Sequence, residues 1–551
     1  IQEYDAEAQG GSATSPFPAL GGAEVLTGDE LEDIRQYEHV QSVTPNYSPS
    51  VNYITTEGQK QYVVSSLSTF SPNVTLEYAA GDVSGDLADD EIILNEDYAE
   101  VLGFKNFDDA IGKEVTINAT KQRTLFGGMP ESLAILSTLS LCLFLSLFFL
   151  SLSVFPKFKN QPLLVPAIFT LVEWVRSWIF TGFPWLTLGY SQVEGSPLAG
   201  YIPITGIYGV SFLLILTSHL LFLLLNKAHQ RLWIIFLIII IWGGGHFLKK
   251  IEWTEPNGGP IEVTLLQGNV KQDEKWDQTK IKKILNKYES LILKSNSPLT
   301  VLPETSIPLL LEYIPSDYLN KIKGHMKKID GNLILGVIER EEVGIYNSAV
   351  SYGEDESQKY RKYHLVPFGE YVPLRSIFGF IYEDLLNMPF NDLSRGERIQ
   401  LPMKFDQQKI AINICYEDVF GDEIIHQLPN ANILLNMSND AWYGHSIAAE
   451  QHLQISQARA IETGRMMLRA TNTGVTAFIN EKGKVMNKLP QFQSGSLTQN
   501  VQGFNGSTPF IKYGHFPILI LCFLITSITL FRKKLISKFL AVIKKQRKIR
   551  W

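Results

Sequence analysis

Long apolar runs recur along this 551-residue chain, separated by polar stretches of very different length. Several of these runs consist mostly of Leu, Ile, Phe, Val and Ser and reach about 17 to 24 residues, which suits a hydrocarbon core about 30 Å thick. They predict transmembrane helices at about 132–155, 207–226, 232–248 and 514–531. The alternative for such a run is a long buried helix of a soluble domain.

A further apolar segment, 163–181, contains two charged residues. Glu173 and Arg176 lie three residues apart, so both side chains can occupy one face of a helix and pair inside a bundle. We therefore predict a transmembrane helix here too. The resulting architecture is a polytopic α-helical membrane bundle in residues 129–250, with one more span in the C-terminal region 506–551.

The basic residues next to the predicted spans fall on one side of the membrane. Lys157 and Lys159 lie between the first two spans, Lys227 lies between the third and fourth, and a basic tail, 532–550, follows the last. An excess of Lys and Arg is typical of cytoplasmic loops. The distribution predicts a cytoplasmic C-terminus and an extracytoplasmic location for the large polar region 249–513.

The first part of the chain differs in charge from the rest. Residues 1–128 hold roughly 22 acidic and 6 basic residues, whereas the whole chain carries a net charge of −7. The remainder is therefore net positive, which suits a protein held against anionic lipid. Because the chain begins at Ile1 rather than Met, we expect a processed end, a fragment or a joined piece.

Between about 260 and 500, short β-rich runs alternate with helical stretches, which indicates an α/β domain with layered sheets. The predicted helices are Lys280–Ser295 and Ala448–Gly464. The predicted strands are Ile261–Val270, Thr300–Pro303, Asn332–Ile338, Tyr346–Tyr352, Lys409–Ile414, Ile433–Asn436 and Thr476–Ile479. Functional groups in such domains cluster where strands end.

One of the three cysteines is placed for chemistry. Cys142 and Cys522 lie inside apolar runs, where a thiol usually acts as a small hydrophobe. Cys415 instead follows a predicted strand directly and precedes Tyr416 and Glu417. A lone cysteine of this kind is a candidate nucleophile, and the alternative is a buried structural thiol.

Two other strand ends carry charged residues. Glu304 follows the strand that ends at Pro303 and could act as a general base, although a turn carboxylate is the alternative. Lys362 could supply a fixed positive charge to a developing oxyanion, with Glu370 as a second carboxylate nearby. A lysine among aromatic residues is otherwise usually solvated or extended toward solvent.

Together these residues form a coherent nucleophilic set. Glu304 would take the thiol proton, Cys415 would attack a carbonyl carbon, and Lys362 would stabilise the oxyanion and lower the thiol pKa. No cluster near them has the spacing of metal ligands, and we interpret His364 and His452 as structural. The set predicts acyl chemistry without a metal or another cofactor.

The order of Glu, Lys and Cys resembles the nitrilase superfamily. Further motifs resemble the nitrilase-like domain of the bacterial apolipoprotein N-acyltransferases, and others resemble that family's membrane part. In the α/β region these motifs are 362–373, 415–418, 438–444, 451–460 and 468–474. Beside the spans they are 173–186, 189–192 and 507–514. The resemblance covers about 130 to 535.

This resemblance implies a reaction and a place for it. The family moves an acyl chain from a phospholipid, usually phosphatidylethanolamine, to the N-terminal amine of a diacylglyceryl-modified lipoprotein, at the bacterial inner membrane. The implied fold for 251–505 is an α-β-β-α sandwich in the periplasm. No nucleic acid partner is implied.

The family's functional positions map onto this sequence residue by residue. Cys415 would carry the thioacyl group, with Glu304 as base and Lys362 as oxyanion stabiliser. The supporting residues implied by the resemblance are Glu370, Tyr416, Glu417 and Trp276. For Trp276 the alternative is an aromatic side chain packed in the core.

The stretch 372–390 is too apolar for an ordinary solvated loop. We predict a mobile lid that rests on the membrane surface beside the site, with Phe378 and Phe380 among its apolar contacts. The alternative is a loop packed on its own domain.

Residues 1–128 have no counterpart in that family and stand where additional spans are expected. They resemble the extracytoplasmic domain of macrolide-exporter-type ABC transporter permeases and predict an α+β module. The segments that carry this resemblance are 26–34, 40–45, 90–104 and 110–117. No Walker motif occurs. The alternatives are an unrelated acidic module, an acquired accessory domain or a foreign piece joined near Gly127.

Two other functions compete with acyl transfer to a lipoprotein. A nitrilase-type amidase acting on a small amide would lack the apolar spans and the apolar segment 372–390. A transport-associated binding protein with an idle catalytic domain would not need Glu304, Lys362 and Cys415 together. The sequence therefore favours the membrane acyltransferase.

Overall fold

The computed structural model describes most of the chain from residue 131 onward and parts of the chain before it. The described residues are 51–56, 79–81, 92–104, 106–119, 131–153, 161–226, 230–277, 280–353, 357–367, 369–371 and 392–548. The predicted lid 372–390 and the residues Lys157, Lys159 and Lys227 lie outside them, as do segments 26–34 and 40–45. Contacts divide the chain into two units, one of residues 1–127 with 276–279 and the other of 128–275 with 280–551.

The described part of the first unit contains both helix and strand. Strand β1 (Val51–Thr55) pairs antiparallel with β2 (Thr116–Ala119). Between them, helix α1 (Glu96–Val101) begins after Asn95, whose side-chain oxygen accepts a hydrogen bond from the Tyr98 N–H at 3.1 Å. This is an ordinary helix N-cap, because it satisfies a backbone donor that the helix leaves free.

Each of the five segments predicted as spans contains a helix. These helices are α2 (Glu131–Ser153), α3 (Leu164–Arg176), α4 (Ile202–Asn226), α5 (Arg231–Leu248) and, after the α/β domain, a long C-terminal helix (Phe516–Lys548). Within the described residues, two helical stretches, Pro197–Asn226 and Arg231–Leu248, are long and apolar enough to cross a membrane. Thr138–Leu150 and Phe516–Arg532 are shorter apolar helices.

The charged pair predicted on α3 does not form. Glu173 and Arg176 are both buried, but the Glu173 carboxylate accepts a hydrogen bond from the Leu188 N–H at 2.7 Å. Across the described ranges, no ion pair within 4 Å joins the two side chains. The loop after the helix turns back on it and supplies the partner that the prediction assigned to arginine.

The α/β domain consists of two six-stranded sheets. The first has the order β14-β3-β4-β5-β6-β7 and the second β13-β12-β11-β10-β9-β8. Their strands are β3 (Thr254–Gln267), β4 (Leu299–Val301), β5 (Asn332–Glu341), β6 (Gly344–Gly353), β7 (Lys359–Arg361), β8 (Met403–Phe405), β9 (Gln408–Ile414), β10 (Ile433–Ser438), β11 (Met466–Thr471), β12 (Ala477–Ile479), β13 (Val485–Lys488) and β14 (Gly495–Gly506). Strands β3, β4 and β5 are parallel, as are β9, β10 and β11.

The remaining helices of this domain are short or cover the sheets. They are α6 (Gln272–Lys275), α7 (Ile281–Leu293), α8 (Ser316–Lys328), α9 (Gly421–Ile424), α10 (Ala448–Thr463) and α11 (Pro509–Tyr513), and the C-terminal helix Phe516–Lys548 is α12. Among these, α7 and α8 are amphipathic, and their apolar faces are buried. Helix α10 is buried along most of its length.

Side chains alternate between the two faces of the second sheet, as the pleat of a strand requires. Ile412 and Leu435 lie in the core between the sheets, together with Val301 and Ile334 of the first sheet. The intervening Leu434 instead packs with residues of α10 on the outer face. Two sheets enclosed by helices form the α-β-β-α arrangement that the sequence predicted.

The apolar helices join the α/β domain through α10. Glu462 of α10 accepts a hydrogen bond from the Ile207 N–H at 3.1 Å, and it pairs with Arg459 at 2.9 Å. Apolar residues of α10 and α4, among them Ile455 and Val210, belong to one buried cluster. The apolar helices and the two six-stranded sheets are therefore parts of one packed unit.

Candidate active site

Cys415 lies where β9 ends and begins a short 3₁₀ turn, Cys415–Val419. Its φ of 54° is in the left-handed region, which costs a non-glycine residue about 1 to 3 kcal/mol and is concentrated at functional sites. Asn436 of the neighbouring β10 holds this turn by donating to the Cys415 carbonyl at 3.1 Å. The sequence prediction of a cysteine at an abrupt strand end is confirmed.

Glu304 follows β4, and hydrogen-bond donors occupy both of its carboxylate oxygens. Its Oε1 accepts from Asn347 Nδ2 at 2.8 Å and from Lys362 Nζ at 3.3 Å, while Oε2 accepts from the Asn439 N–H at 2.9 Å. The turn passes so close to β5 that a Cβ on Gly336 would lie 2.2 Å from the Pro303 carbonyl oxygen. The carboxylate is thus fixed in position by three separate elements.

Lys362 lies between two carboxylates and is 1% exposed. Its Nζ is 2.9 Å from the Glu370 carboxylate and 3.3 Å from that of Glu304. Asn347 Nδ2 donates to the same pair of carboxylates, at 2.8 Å to Glu304 and 3.0 Å to Glu370. The structure therefore brings Glu304, Lys362 and Glu370 together, although Glu304 and Glu370 are 66 positions apart in the sequence.

Electrostatic interactions determine the charge states of Glu304 and Lys362. Burial alone would raise the pKa of Glu304, but the charges of Lys362 and Lys275 outweigh it and hold that pKa below its usual range. For Lys362, burial is opposed by Glu370 and Glu304, and the net effect raises the lysine pKa. At neutral pH the carboxylate is therefore ionised and the ammonium is charged.

The Cys415 thiol differs from the sequence prediction. Burial raises its pKa most, Glu304 raises it further, and the Lys362 charge opposes both without outweighing them. The prediction that lysine lowers the thiol pKa was correct in sign but wrong in outcome, because the desolvation of a buried thiolate is the larger effect. A thiol that is protonated at rest needs a base at the moment of attack.

Glu417 connects the strand ends that carry Lys362 and Cys415. Its carboxylate accepts from the backbone N–H groups of Ile414 (2.6 Å), Tyr363 (2.7 Å) and His364 (3.1 Å). The Tyr360 hydroxyl donates to it as well, at 3.0 Å. Burial raises the pKa of Glu417 to about 7 against the opposing effect of these N–H groups and of Lys362. This residue positions the site.

The other two supporting residues have different surroundings. The Tyr416 hydroxyl donates to the Gly182 carbonyl at 3.0 Å, so this residue contacts the loop after α3. Trp276 directly follows α6 and is half-buried. It falls in the segment 276–279 that groups with the first unit.

Comparison with known proteins identifies the chain. The carbon-nitrogen hydrolase family model matches residues 262–507, and the model of the apolipoprotein N-acyltransferase N-terminal domain matches 120–220. The apolipoprotein N-acyltransferase of Nitrosomonas europaea is 47% identical over 399 residues, which are 71% of this chain and 80% of that protein. The chain belongs to the apolipoprotein N-acyltransferase family.

Another relative agrees with this assignment. The apolipoprotein N-acyltransferase of Chromobacterium violaceum is 42% identical over 360 residues, covering 65% of this chain and 70% of its own. A CN-hydrolase superfamily protein from Xanthomonas campestris aligns with a TM-score of 0.33 at 18% identity, over 48% of this chain and 97% of that one. The resemblance stated from the sequence motifs is confirmed, and the chain is an acyltransferase with a nitrilase-type fold.

One residue of this acyltransferase site was missed from the sequence. Lys275, the last residue of α6, is 2% exposed, and its Nζ donates to the Glu304 carbonyl at 3.3 Å and to Thr305 Oγ1 at 2.5 Å. Burial lowers its pKa to about 8, while the charges of Glu304 and Cys415 oppose that effect. The site therefore contains two buried lysines, only one of which contacts a carboxylate.

We expect Lys275→Met to move the acidic limb of the pH–rate profile to higher pH. The Lys275 charge helps to hold the Glu304 pKa low, and an opposite charge near a carboxylate lowers its pKa by about one to three. A carboxylate that acts as a base must be ionised, so if Glu304 has the predicted role, removing this charge shifts the limb upward by about one pH unit or more. The rate of enzyme acylation between pH 4 and 8 measures it.

Lys294→Met is the matched control, since Lys294 is exposed just beyond the neighbouring helix α7. Its profile should coincide with that of the parent protein. An unmoved acidic limb in Lys275→Met would show that Lys275 does not tune the base.

We expect Glu417→Ala to destabilise the protein and to slow acylation. The change leaves several buried N–H groups without an acceptor, and each such loss costs about 1 to 3 kcal/mol. We therefore expect the free energy of unfolding to fall by about 2 to 4 kcal/mol. The variant should accordingly melt at a lower temperature in detergent. Glu255→Ala, at an exposed position of β3, is the control and should melt as the parent does. Equal melting temperatures for the two variants would show that the hydrogen bonds to Glu417 do not stabilise the fold.

The two histidines predicted as structural bridge neighbouring elements. His364 Nδ1 is 2.9 Å from Glu423 Oε1, and its Nε2 is 3.0 Å from the Thr181 carbonyl oxygen. His452 is fully buried, with Nδ1 3.0 Å from Asp440 Oδ1. Both rings therefore hold parts of the site in place.

Proposed function

We propose that this acyltransferase takes an acyl chain from a membrane phospholipid onto Cys415 and passes it to the N-terminal amine of a diacylglyceryl-modified lipoprotein. The observation that carries the proposal is the buried arrangement of an ionised Glu304, a charged Lys362 and the strained Cys415 turn. Such a set serves a thiol that attacks an ester carbonyl.

The first half-reaction forms a thioester. Glu304 takes the proton from the Cys415 thiol as sulfur attacks the ester carbon of the phospholipid, and Lys362 stabilises the oxyanion of the tetrahedral intermediate. When the intermediate collapses, the carbon–oxygen bond of the ester breaks. The leaving lysophospholipid oxygen receives the proton from Glu304, so the base returns to its ionised state.

The second half-reaction forms the amide. The neutral amine of the acceptor attacks the thioester carbon, Glu304 takes a proton from the nitrogen, and Lys362 again stabilises the oxyanion. The carbon–sulfur bond then breaks, and the Cys415 sulfur recovers its proton from Glu304. Glu370 has a supporting role in both steps, because its contact with Lys362 holds the ammonium in place.

The apolar helices support a membrane location for this chemistry. Helix α5 exposes most of its apolar surface, with Leu232 84% and Trp233 72% exposed, as expected for a helix that faces lipid rather than water. A multi-pass bundle in the bacterial inner membrane, with a periplasmic catalytic domain and a cytoplasmic C-terminus, agrees with the basic residues beside the spans. Both lipid substrates would then reach the site from the bilayer.

The test uses the full chain in detergent with phosphatidylethanolamine. Its intact mass should rise by one acyl group, and digestion should place that group on the Cys415 peptide. Adding a diacylglyceryl-cysteine lipopeptide should then return the enzyme to its original mass and acylate the lipopeptide amine.

The absence of an adduct in protein whose Cys415 still reacts with iodoacetamide would contradict the proposal. Release of free fatty acid with an unmodified lipopeptide would instead assign the chain to the nitrilase-type hydrolases.

A further inference from the structure

Arg176 is a buried cation with N–H donors that no described residue accepts. It is the last residue of α3 and is 4% exposed, and its Nε and Nη2 atoms are enclosed without a hydrogen-bond acceptor among the residues that the structure describes. A guanidinium has five N–H donors and stays charged in proteins. Burying N–H donors of a charged guanidinium without an acceptor is unfavourable, so the site favours the oxygen atoms of an anion.

The nearest acidic residue along the helix does not supply that anion. The Oε1 atom of Glu173, one turn before Arg176, accepts from the Leu188 N–H at 2.7 Å, and no ion pair within 4 Å links it to the guanidinium in the described ranges. The hydrogen bond holds the Glu173 carboxylate at the start of the 3₁₀ helix Leu188–Gln192. Glu173 is close enough for the two charges to interact, but the Arg176 Nε and Nη2 donors have no acceptor among the described residues.

The loop after Arg176 is held against the site. The Phe183 N–H donates back to the Arg176 carbonyl at 2.8 Å, and Thr181 and Gly182 both have positive φ, of 85° and 90°. A Cβ at position 182 would lie 2.0 Å from the Ser177 carbonyl oxygen, so this tight turn requires glycine.

Two hydrogen bonds connect this loop to residues near the predicted catalytic residues in the sequence. The Tyr416 hydroxyl, next to Cys415, donates to the Gly182 carbonyl at 3.0 Å. His364, two residues after Lys362, places its Nε2 3.0 Å from the Thr181 carbonyl oxygen. The loop that follows Arg176 therefore contacts the segments that carry Lys362 and Cys415.

Aromatic residues around Arg176 indicate its depth in a membrane. Trp178 and Phe180 are 53% and 68% exposed, and Trp174 contacts both Trp178 and Phe523, with ring centroids 5.5 and 6.1 Å apart. Exposed tryptophan beside the end of an apolar helix is typical of the membrane–water interface. Phospholipid phosphates lie at this same depth.

We propose that Arg176 binds the phosphodiester group of the phospholipid acyl donor. The planar guanidinium can donate two parallel hydrogen bonds to phosphate oxygens, which fixes orientation as well as charge. Binding the phosphate here would present the glycerol ester to Cys415. The inference rests on the proposed function and adds the group that recognises its donor substrate.

The acceptor does not need this site, because a diacylglyceryl peptide carries no phosphate. Arg176 therefore acts in the first half-reaction only. An acyl donor without phosphate, such as a diacylglycerol, would likewise react with Cys415 without using Arg176.

The experiment compares two donors on three forms of the full chain in detergent. Arg176→Gln should acylate from phosphatidylethanolamine about 10- to 100-fold more slowly than the parent, through a higher KM, because one charge-assisted contact is lost. Its acylation from diacylglycerol should equal that of the parent, which also shows that the variant is folded. Arg231→Gln, an exposed arginine at the start of α5, should match the parent with both donors.

Equal slowing of Arg176→Gln with the two donors would assign Arg176 to packing and overturn the proposal, as would no slowing with either. If the parent protein forms no thioester from either donor, the proposed function fails instead.

A second measurement needs no variant. An ether-linked phospholipid, which cannot be cleaved, should inhibit acylation of the parent at concentrations where the corresponding diether glycerol and inorganic phosphate do not. Equal inhibition by the diether glycerol would show that phosphate is not recognised. Equal inhibition by inorganic phosphate would assign the site to the free anion and overturn the lipid assignment.

Discussion

Cys415→Ala is expected to abolish acyl transfer. Alanine keeps the Cβ atom and meets the same left-handed backbone at φ 54°, so the turn after β9 should persist while the nucleophilic sulfur is lost. Removing the nucleophile of a covalent mechanism costs about four to six orders of magnitude in kcat. The measurements are lipopeptide acylation and the intact mass after incubation with phosphatidylethanolamine, which should show no adduct.

Cys142→Ser is the matched control for this result. Cys142 is the exposed cysteine on α2, and its replacement leaves Cys415 untouched. This variant should form the adduct at the rate of the parent. An acyl adduct that persists in Cys415→Ala would place the acyl group on another residue and contradict the thioester mechanism.

The sequence predicts the chemistry of this site because three reactive side chains directly follow strands. In an α/β domain the ends of parallel strands gather at one edge of a sheet, so Glu304 and Cys415 were expected close to each other. The two strands belong to different sheets, however, and the pattern of apolar residues does not say how the sheets face each other. Family resemblance supplied that step.

Residues that act through long-range contacts were not predictable. Lys275 follows β3 in an ordinary polar segment, and only the fold brings its ammonium to the turn after Glu304. Asn347 bridges two carboxylates from the middle of β6, where its side chain resembles any other polar residue of a strand. Neither has a spacing or a motif that could have identified it from one sequence.

The prediction of strands was least successful at the edges of the sheets. The seven predicted strands are present, whereas β7, β8, β11, β13 and β14 were missed. Four of the five, β7, β8, β13 and β14, lie at the edges of the sheets, and β14 carries polar residues at many positions. Edge strands are half-exposed, so their hydrophobic pattern is weak.

The helix predicted across 163–181 shows why hydropathy alone overestimates length. Its residues are mostly apolar, yet α3 ends at Arg176 because Gly182 and Pro184 favour a turn that returns to the helix end. This early end exposes the backbone of residues 181 and 182 to Tyr416 and His364. The departure from a simple span is thus what connects the apolar helices to the site.

Glu304→Gln should uncouple the reactivity of the thiol from catalysis. Glutamine has almost the same shape, but it cannot take a proton, and its NH₂ group would face one of the donors that now contact the carboxylate. Loss of a general base lowers the rate of acylation by about 10²- to 10⁴-fold. In the parent, acylation falls only as pH drops through the low pKa of Glu304, and the variant should lack that limb.

The Cys415 thiol should respond in the opposite direction. The Glu304 charge is one of the causes that raise the thiol pKa, so neutralising it leaves Lys362 less opposed and lowers that pKa. Alkylation by iodoacetamide, followed against pH, should therefore begin at lower pH in Glu304→Gln than in the parent. A structural defect would slow acylation without this shift, whereas a variant that acylates as fast as the parent would show that another group is the base. Slower acyl transfer with a more readily ionised thiol is the combination that identifies Glu304 as the group that removes the proton.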